Sequence, residues 1–327
     1  MTRQNVVSIH ALDAGYLTLP EAFFVTPLED ESARTTVPSL SFLVQHTDLV
    51  SAKTTRIVFD LGIRKDLTAY SEPLYKHAMT RRPLSGDPGT IESLAAGGLS
   101  AGDIDIVMFS HLHWDHIGSP SDYAEASYVI GPGAGDLING TRKVQNGSHN
   151  HFEEGLLDFR RTIEIHDPDL GDSDGLVSNT QSLPRTQDHA KLFSKPWLPK
   201  GPFPHTMDVF GDGSLYVVSA PGHLDGHINL LCRKADGSFV YLAGDACHDP
   251  LLLSGEKEIA TWTDPSFPGI TCCIHSHKPT AEKTLARIRA TMQQPNGLGG
   301  DVEVIFAHAA LWAKSAKERG RFFPGAL

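Results

Sequence analysis

No apolar run in this 327-residue chain approaches the length of a membrane span, and no long apolar core follows the polar start Met1-Thr2-Arg3-Gln4-Asn5. Those two absences argue against an integral membrane or exported protein. Cysteine is scarce: Cys232, Cys247, Cys272 and Cys273 are too few for a disulfide scaffold, and a reducing, cytoplasmic location is expected. Basic residues are outnumbered, 28 against 39 acidic ones, which leaves a net charge of −11. A net negative surface disfavours nucleic acid and other polyanionic partners. Repeats of fixed short period and heptads are also missing, so neither a solenoid nor a coiled coil is expected. What remains is an ordinary soluble composition, 40% hydrophobic and 20% charged, long enough for one large domain or two smaller ones.

Histidine, by contrast, is abundant at 17 residues. Four metal-ligand types fall in the six positions His111-Leu112-His113-Trp114-Asp115-His116, directly after the apolar run 104–109. In an extended segment residues two apart point to one face, so His111 and His113 can hold one ion. Asp115 and His116 follow where a strand would end and the chain can turn, and can hold a neighbouring one. The bland alternative, four polar residues in a surface turn, needs a six-residue coincidence.

Short β-branched and aromatic runs predict strands at 41–46, 56–60, 104–109, 128–130, 215–220, 228–233, 239–242 and 302–307. Helical patterns occupy 90–96 and 280–294, the latter with Leu285, Ile288 and Met292 as its apolar stripe and Thr280 as N-cap. Strands interleaved with a few helices point to an α/β or α+β sandwich. Residues 131–205 are rich in Gly, Asp, Ser, Asn and Pro, with few convincing elements, and read as an insertion or lid within a single domain 1–327 rather than as a linker. Three further ligand types each follow an apolar strand, where side chains emerge into a crevice: His223, Asp245 and His308. Any one alone reads as a structural residue. Together with the 111–116 segment they suggest a seven-donor metal centre.

H-x-H-x-D-H at 111–116, Pro-Gly-His at 221–223, Gly-Asp at 244–245 and Ala-His at 307–308, preceded by Phe59-Asp60-Leu61-Gly62, resemble the ordered motifs of the metallo-β-lactamase superfamily. The likeness runs over nearly the whole chain. It implies an αββα four-layer sandwich, two mixed β-sheets flanked by helices, with the site along one sheet edge. It also implies that His111, His113 and His223 bind one metal, that Asp115, His116 and His308 bind a second, and that Asp245 bridges them. Asp60 would orient a ligand imidazole by hydrogen bonding, and His227 would be structural. Imidazole and carboxylate donors suit two Zn²⁺ ions, with Mn, Fe or Co as alternatives. Two such ions would share a water, lower its pKa toward neutrality and polarise a carbonyl for its attack. Asp115 could then pass a proton to the leaving group.

Within that superfamily the chain is most similar to the N-acyl homoserine lactonase-like branch and to the benzoxazolinone-hydrolysing γ-lactamase type. The expected activity is therefore opening of a small cyclic ester, amide or carbamate. The branch usually places a Tyr three residues after the bridging Asp to contact the substrate carbonyl. Here His248 stands there, and is taken with Asp115 as a catalytic candidate. After the last ligand His the branch usually has Asp, and here it is Ala309. The alternatives are a glyoxalase II-like thioesterase, for which no clustered Lys or Arg is visible near the motifs, and an inactive binding protein, which should have lost a ligand. The expected partner is a small cyclic substrate, and a homodimer is compatible with the sequence. The pairs His149/His151 and His275/His277 lack a following Asp-His and are weaker candidates for substrate contact. Cys272-Cys273 reads as small packing or a turn, and Trp114 as core or pocket wall.

Overall fold

The computed structural model describes residues 5–144, 151–170, 182–265, 268–293 and 297–327. Two six-stranded mixed sheets form its centre. The first runs in the order Val7–Leu12, Ser41–Thr47, Thr54–Phe59, Ile106–Met108, Ser127–Ile130, Thr162–Glu164. Its first two pairings are antiparallel and its last three parallel. The second runs Leu198–Lys200, Phe203–Asp208, Leu215–Ser219, Ile228–Arg233, Phe239–Leu242, Val302–Ile305, antiparallel except for the final parallel pair.

The strand alternation explains the layering. Ile57 and Phe59, Ile106 and Met108 face Leu230 and Cys232, Val240 and Leu242 in one core between the sheets. The intervening Val58, Val107 and Tyr128 point the other way, onto Leu94 of the helix Thr90–Ala96 and Ile138 of the helix Ala134–Ile138. On the opposite side Val218, Leu231 and Tyr241 pack against Leu285 and Ile288 of the helix Lys278–Gln293. The result is the expected α/β/β/α sandwich. Central strands buried on both faces read as continuous apolar runs, which is why they stand out in the sequence. Truncating one such side chain, Leu230→Ala for example, costs about 2–5 kcal/mol in cores of this kind.

Three expectations need correction. The helix predicted from Thr280 starts two residues earlier, at Lys278, and Met292 is exposed rather than part of its buried stripe. The last strand stops at Ile305, so 306–308 is already loop. The described part of 131–205 is not short of elements: it contributes an edge strand to the first sheet and two strands to the second. No helix among the described residues is long and apolar enough to cross a membrane.

Direction within the sheets gathers the candidate residues. Thr54–Phe59 and Ile106–Met108 are parallel, so the loops starting at Asp60 and Ser110 leave the first sheet at one end. In the second sheet Phe239–Leu242 and Val302–Ile305 are parallel, and Leu215–Ser219, two antiparallel steps away, shares their direction. The loops carrying His223, Asp245 and His308 therefore open beside the first pair. The backbone N–H of Ile228 donates to Ser110 O (2.8 Å) and stitches the two sheets there.

Candidate metal centre

Each donor is aimed by local structure. After Met108 the chain runs irregularly through His111 to His113, then makes a single helical turn, Trp114–Ile117, that swings Asp115 and His116 round to the same cavity. The turn is held by Ser39 Oγ donating to Asp115 O and by the Leu61 N–H donating to His116 O. Gly222 and Gly244 precede two donors in left-handed conformations, φ +124° and +47°. A Cβ on Gly222 would lie 2.2 Å from the Ala281 nitrogen, and one on Gly244 would lie 2.9 Å from Ser110 Cβ. Only glycine lets these loops approach so closely.

Seven buried side chains converge, in two groups sharing one carboxylate. His111 Nε2 and His223 Nε2 lie 2.9 and 3.1 Å from His113 Nδ1, and 3.8 and 3.5 Å from Asp245 Oδ2. On the other side Asp245 Oδ1 lies 3.1 Å from His116 Nε2 and 3.3 Å from His308 Nε2, which is 3.6 Å from Asp115 Oδ2. The donor atoms of His111, His113, His223 and Asp245 all lie within 4.8 Å of one another, as do those of Asp115, His116 and His308, and those of Asp245, His248 and His308.

These separations fit a bound cation better than a hydrogen-bonded cluster. Metal–nitrogen bonds of about 2.0–2.1 Å in a tetrahedron put neighbouring donors about 3.3 Å apart. One proton on His113 Nδ1 cannot satisfy three converging nitrogens, whereas a cation can. His116 Nε2 and Asp245 Oδ1, both buried, face each other without completing a hydrogen bond.

The outer nitrogens are tied down, which fixes which atom faces inward. His116 Nδ1 donates to Asp60 Oδ2 (2.9 Å), and Asp60 is itself gripped by the Ser110 N–H and Oγ–H, each at 2.7 Å. Asp60 takes φ +64°, a conformation Asp tolerates better than most residues, at a cost of roughly 1–3 kcal/mol. His308 Nδ1 donates to Pro38 O (2.8 Å), leaving Nε2 with its lone pair toward the cavity. His227 donates from Nδ1 to Ala220 O and accepts the Asp245 backbone N–H at Nε2, so both its nitrogens are engaged and it positions Asp245.

Protonation follows burial and charge. Burial, reinforced by neighbouring imidazoles, holds His111 and His223 well below the ordinary histidine value and brings His113 down to about 4. All three are neutral, the ligating form. Burial pushes His116 and His308 down as well, but the Asp245 charge, helped by Asp60 for His116 and Asp115 for His308, overrides it and raises both. Asp245, although buried, is held well below the usual carboxylate range by His116, His308 and His248.

Two cavities meet here. A narrow one of about 40 Å³ is lined by His113, Asp115, His223, Asp245 and His308, with Trp114, Phe24, Leu19, His77, Arg81 and Ile274 around it. A wider, mostly apolar one of about 560 Å³ shares Leu19, Phe24, His248 and His308 with it and extends along Val37, Leu251, Phe306 and Trp312. His248, against the Phe24 ring at 4.7 Å, lies between them and directs Nε2 at Asp245 Oδ2 (3.0 Å). Phe152 stacks near His113 at 6.2 Å, bringing part of 131–205 against the site. Trp114 is both buried and a wall residue, and Cys247, Cys272 and Cys273 are buried. His149 lies outside the described residues, and His151 sits beside His77 (5.6 Å). His275 belongs to the centre more closely than sequence suggests: it is buried with Nδ1 3.2 Å from His223 Nδ1, while His277 is taken up by Thr280 Oγ1. The second His-x-His pair was its one signal. Arg81 and His77, thirty or more residues upstream of the motif, carried none.

Residues 34–131 match the metallo-beta-lactamase superfamily. Gamma-lactamase MBL2 of Gibberella moniliformis is 31% identical over 199 residues, covering 59% of this chain and 70% of that protein. The chain belongs to the metallo-β-lactamase superfamily. A second relative, the cytochrome P450 monooxygenase mpaDE' of Penicillium brevicompactum, is 26% identical over 99% of this chain, but the chain spans only 35% of that protein's length. It spans 27% to 58% of three other fungal relatives. The superfamily fold is equally clear in three dimensions. A B. thuringiensis AiiA variant solved with N-decanoyl-L-homoserine covers all of the chain at TM-score 0.62 and 15% identity. The chain is thus a member of that superfamily carrying a His/Asp cluster able to hold metal.

Proposed function

We propose that this chain is a dinuclear metallohydrolase that opens a small cyclic ester, amide or carbamate. One observation carries the reading. The two oxygens of Asp245 face opposite ways, Oδ2 toward the His111, His113 and His223 group and Oδ1 toward His116 and His308. A carboxylate so placed is built to join two cations, zinc being the first candidate for such donors. When bound, a pair of such ions supplies a water nucleophile active near neutral pH and polarises the carbonyl that is attacked.

The chain's own residues do the rest. His227 and His248 hold the two ends of Asp245, through its backbone N–H and its Oδ2. Asp60 keeps His116 turned inward. Asp115, on the wall of the narrow cavity, can hand a proton to the leaving oxygen or nitrogen. His248, on the wall of both cavities, would contact the substrate carbonyl from the position, three residues after Asp245, where the lactonases carry Tyr, exchanging its hydrogen bond to Asp245 Oδ2 for one to the substrate. Phe24, Trp114 and Phe152 exclude bulk water. Relatives named γ-lactamase and N-acyl homoserine lactonase support a cyclic substrate.

The test is elemental analysis followed by a chelator-controlled hydrolysis screen with acyl homoserine lactones, simple γ-lactones, benzoxazolinone and S-lactoylglutathione. Two metals per chain, with turnover of a ring substrate lost on chelation and restored by zinc, is the expected result. Fewer than one metal per chain and no turnover after metal restoration would overturn the reading. Turnover of the thioester alone would move it to a thioesterase.

A further inference from the structure

One guanidinium lines the narrow cavity, and among the described residues no carboxylate pairs with it within ion-pair distance, although the Asp115 charge acts on it across the cavity. Arg81 follows the helix Glu72–Met79, is half-buried, and shares the cavity wall with Asp115, His113 and His308. Its backbone is fixed, with the N–H donating to Ala78 O and the carbonyl accepting from Thr18 N. Its guanidinium, among the described residues, makes no hydrogen bond or ion pair; it lies over the Phe23 ring at 6.0 Å and feels the charges of Asp115 and Arg34.

Four other interior arginines are fully engaged, although Arg233, half-buried like Arg81 but not on the cavity wall, also leaves its Nε without a hydrogen-bond partner among the described residues. Arg64 donates to Gly118 O, Ala69 O and Glu153. Arg161 donates to the carbonyls of Tyr123, Ala124 and Ala126. Arg289 donates to those of Leu252 and Leu253, and Arg321 pairs bidentately with Glu303. Each of these guanidinium forks ends in acceptors, as a group with five N–H donors requires. Arg81 alone of the five faces a cavity with its fork open. His77, four residues before it on the same wall, is held to about 4 by burial and by Arg81 itself, so it adds no charge at neutral pH.

We propose that Arg81 anchors an anionic oxygen group, in the simplest case a carboxylate, carried by the substrate beside its scissile carbonyl. Planar, bidentate recognition of a carboxylate is what a guanidinium does best. The substrate class narrows accordingly, to a small ring or ester bearing an acid function. Arg81 is a specificity residue in this scheme, and its role rests on the hydrolase reading given above.

The experiment separates the two. On the zinc-loaded full chain, calorimetry compares three hydroxamates that all bind zinc by the same group: butyrohydroxamate, which is neutral at its far end, and the hydroxamates of succinate and glutarate, which end in a carboxylate. The wild type should bind at least one carboxylated member about tenfold or more tighter than butyrohydroxamate. Arg81→Gln should erase that preference while leaving butyrohydroxamate affinity and zinc content unchanged, and Arg81→Lys should restore part of it. A wild type that binds all three equally, or an Arg81→Gln variant that weakens all three alike or loses zinc, overturns the Arg81 assignment: the side chain would then be supporting Asp115 or the fold. A protein that takes up no zinc and binds no hydroxamate sinks the hydrolase reading itself, a different result from equal binding.

Discussion

The two halves of the centre are built from the same residue types and end in opposite electrostatic states. His111, His113 and His223 lie among one another, deep in the protein, and are neutral. His116 and His308 lie against Asp245, with Asp60 and Asp115 behind them, and are driven toward the charged form. All five rings are buried and all lie near Asp245; a hydrogen-bonding approach to Asp245 with a second carboxylate behind raises His116 and His308, whereas neighbouring imidazoles add to the effect of burial at His111 and His223. The first half-site is ready for a cation at once. The second exchanges protons for one.

Removing the shared member should damage both halves most. Asp245→Ala is expected to bring metal content below one ion per chain and to lower kcat/KM by at least about a thousandfold, the scale at which a residue acting with the whole centre is lost. Retention of one tightly held ion and near-normal turnover would show that the halves work separately. Asp60→Asn should touch one half only: it keeps the shape but weakens the acceptor behind His116. A loss of about 10- to 100-fold in affinity for the second ion, with the first unchanged, is the expected outcome of a titration followed by elemental analysis.

The pH dependence sharpens the contrast further. A histidine whose metal-free pKa is raised must lose its proton to bind, so affinity of the second half-site should rise with pH through the raised values of His116 and His308. The first half-site, neutral from about pH 4 upward for His113, should be nearly flat over the same range. Dialysis against a weak chelator over a rising pH series should strengthen retention of the second ion while leaving the first nearly unchanged; parallel loss of both would erase the distinction. Smallest of all, His248→Ala should keep most of the metal and lower kcat by roughly tenfold, the effect of losing one hydrogen bond worth about 1.5 kcal/mol. Loss of metal as complete as in Asp245→Ala would make the hydrogen bond to Asp245 the whole of its role.

Much of this centre is legible in the sequence because its donors follow strands buried on both faces, whose apolar runs mark where each loop begins. The 104–109 run announces His111 to His116, and 215–220, 239–242 and 302–307 announce His223, Asp245 and His308. Where a short strand lies within a polar stretch, the signal fades. Thr162–Glu164 and Leu198–Lys200 are edge strands in a polar stretch and do not read as strands at all. Thr280 looks like a helix cap, yet the helix begins before it and its hydroxyl is engaged by His277. Arg81 and His275 reach the site only through tertiary packing, and no local pattern points to Arg81.

The order of the donors along the chain has a consequence in time. The half-site ending at His223 and the one closed by His308 both depend on residues far downstream of His116, because the strand Val302–Ile305 must pair with Phe239–Leu242 before His308 is in place. At synthesis rates of about 5–20 residues per second, the interval between the emergence of His116 and that of His308 is roughly 10–40 s. Through that interval a nascent chain presents His111, His113, Asp115 and His116 with no completed cage around them. On the proposed two-metal reading, the His116 and His308 side is therefore completed only when the last strand docks, after the His111, His113 and His223 side has its donors.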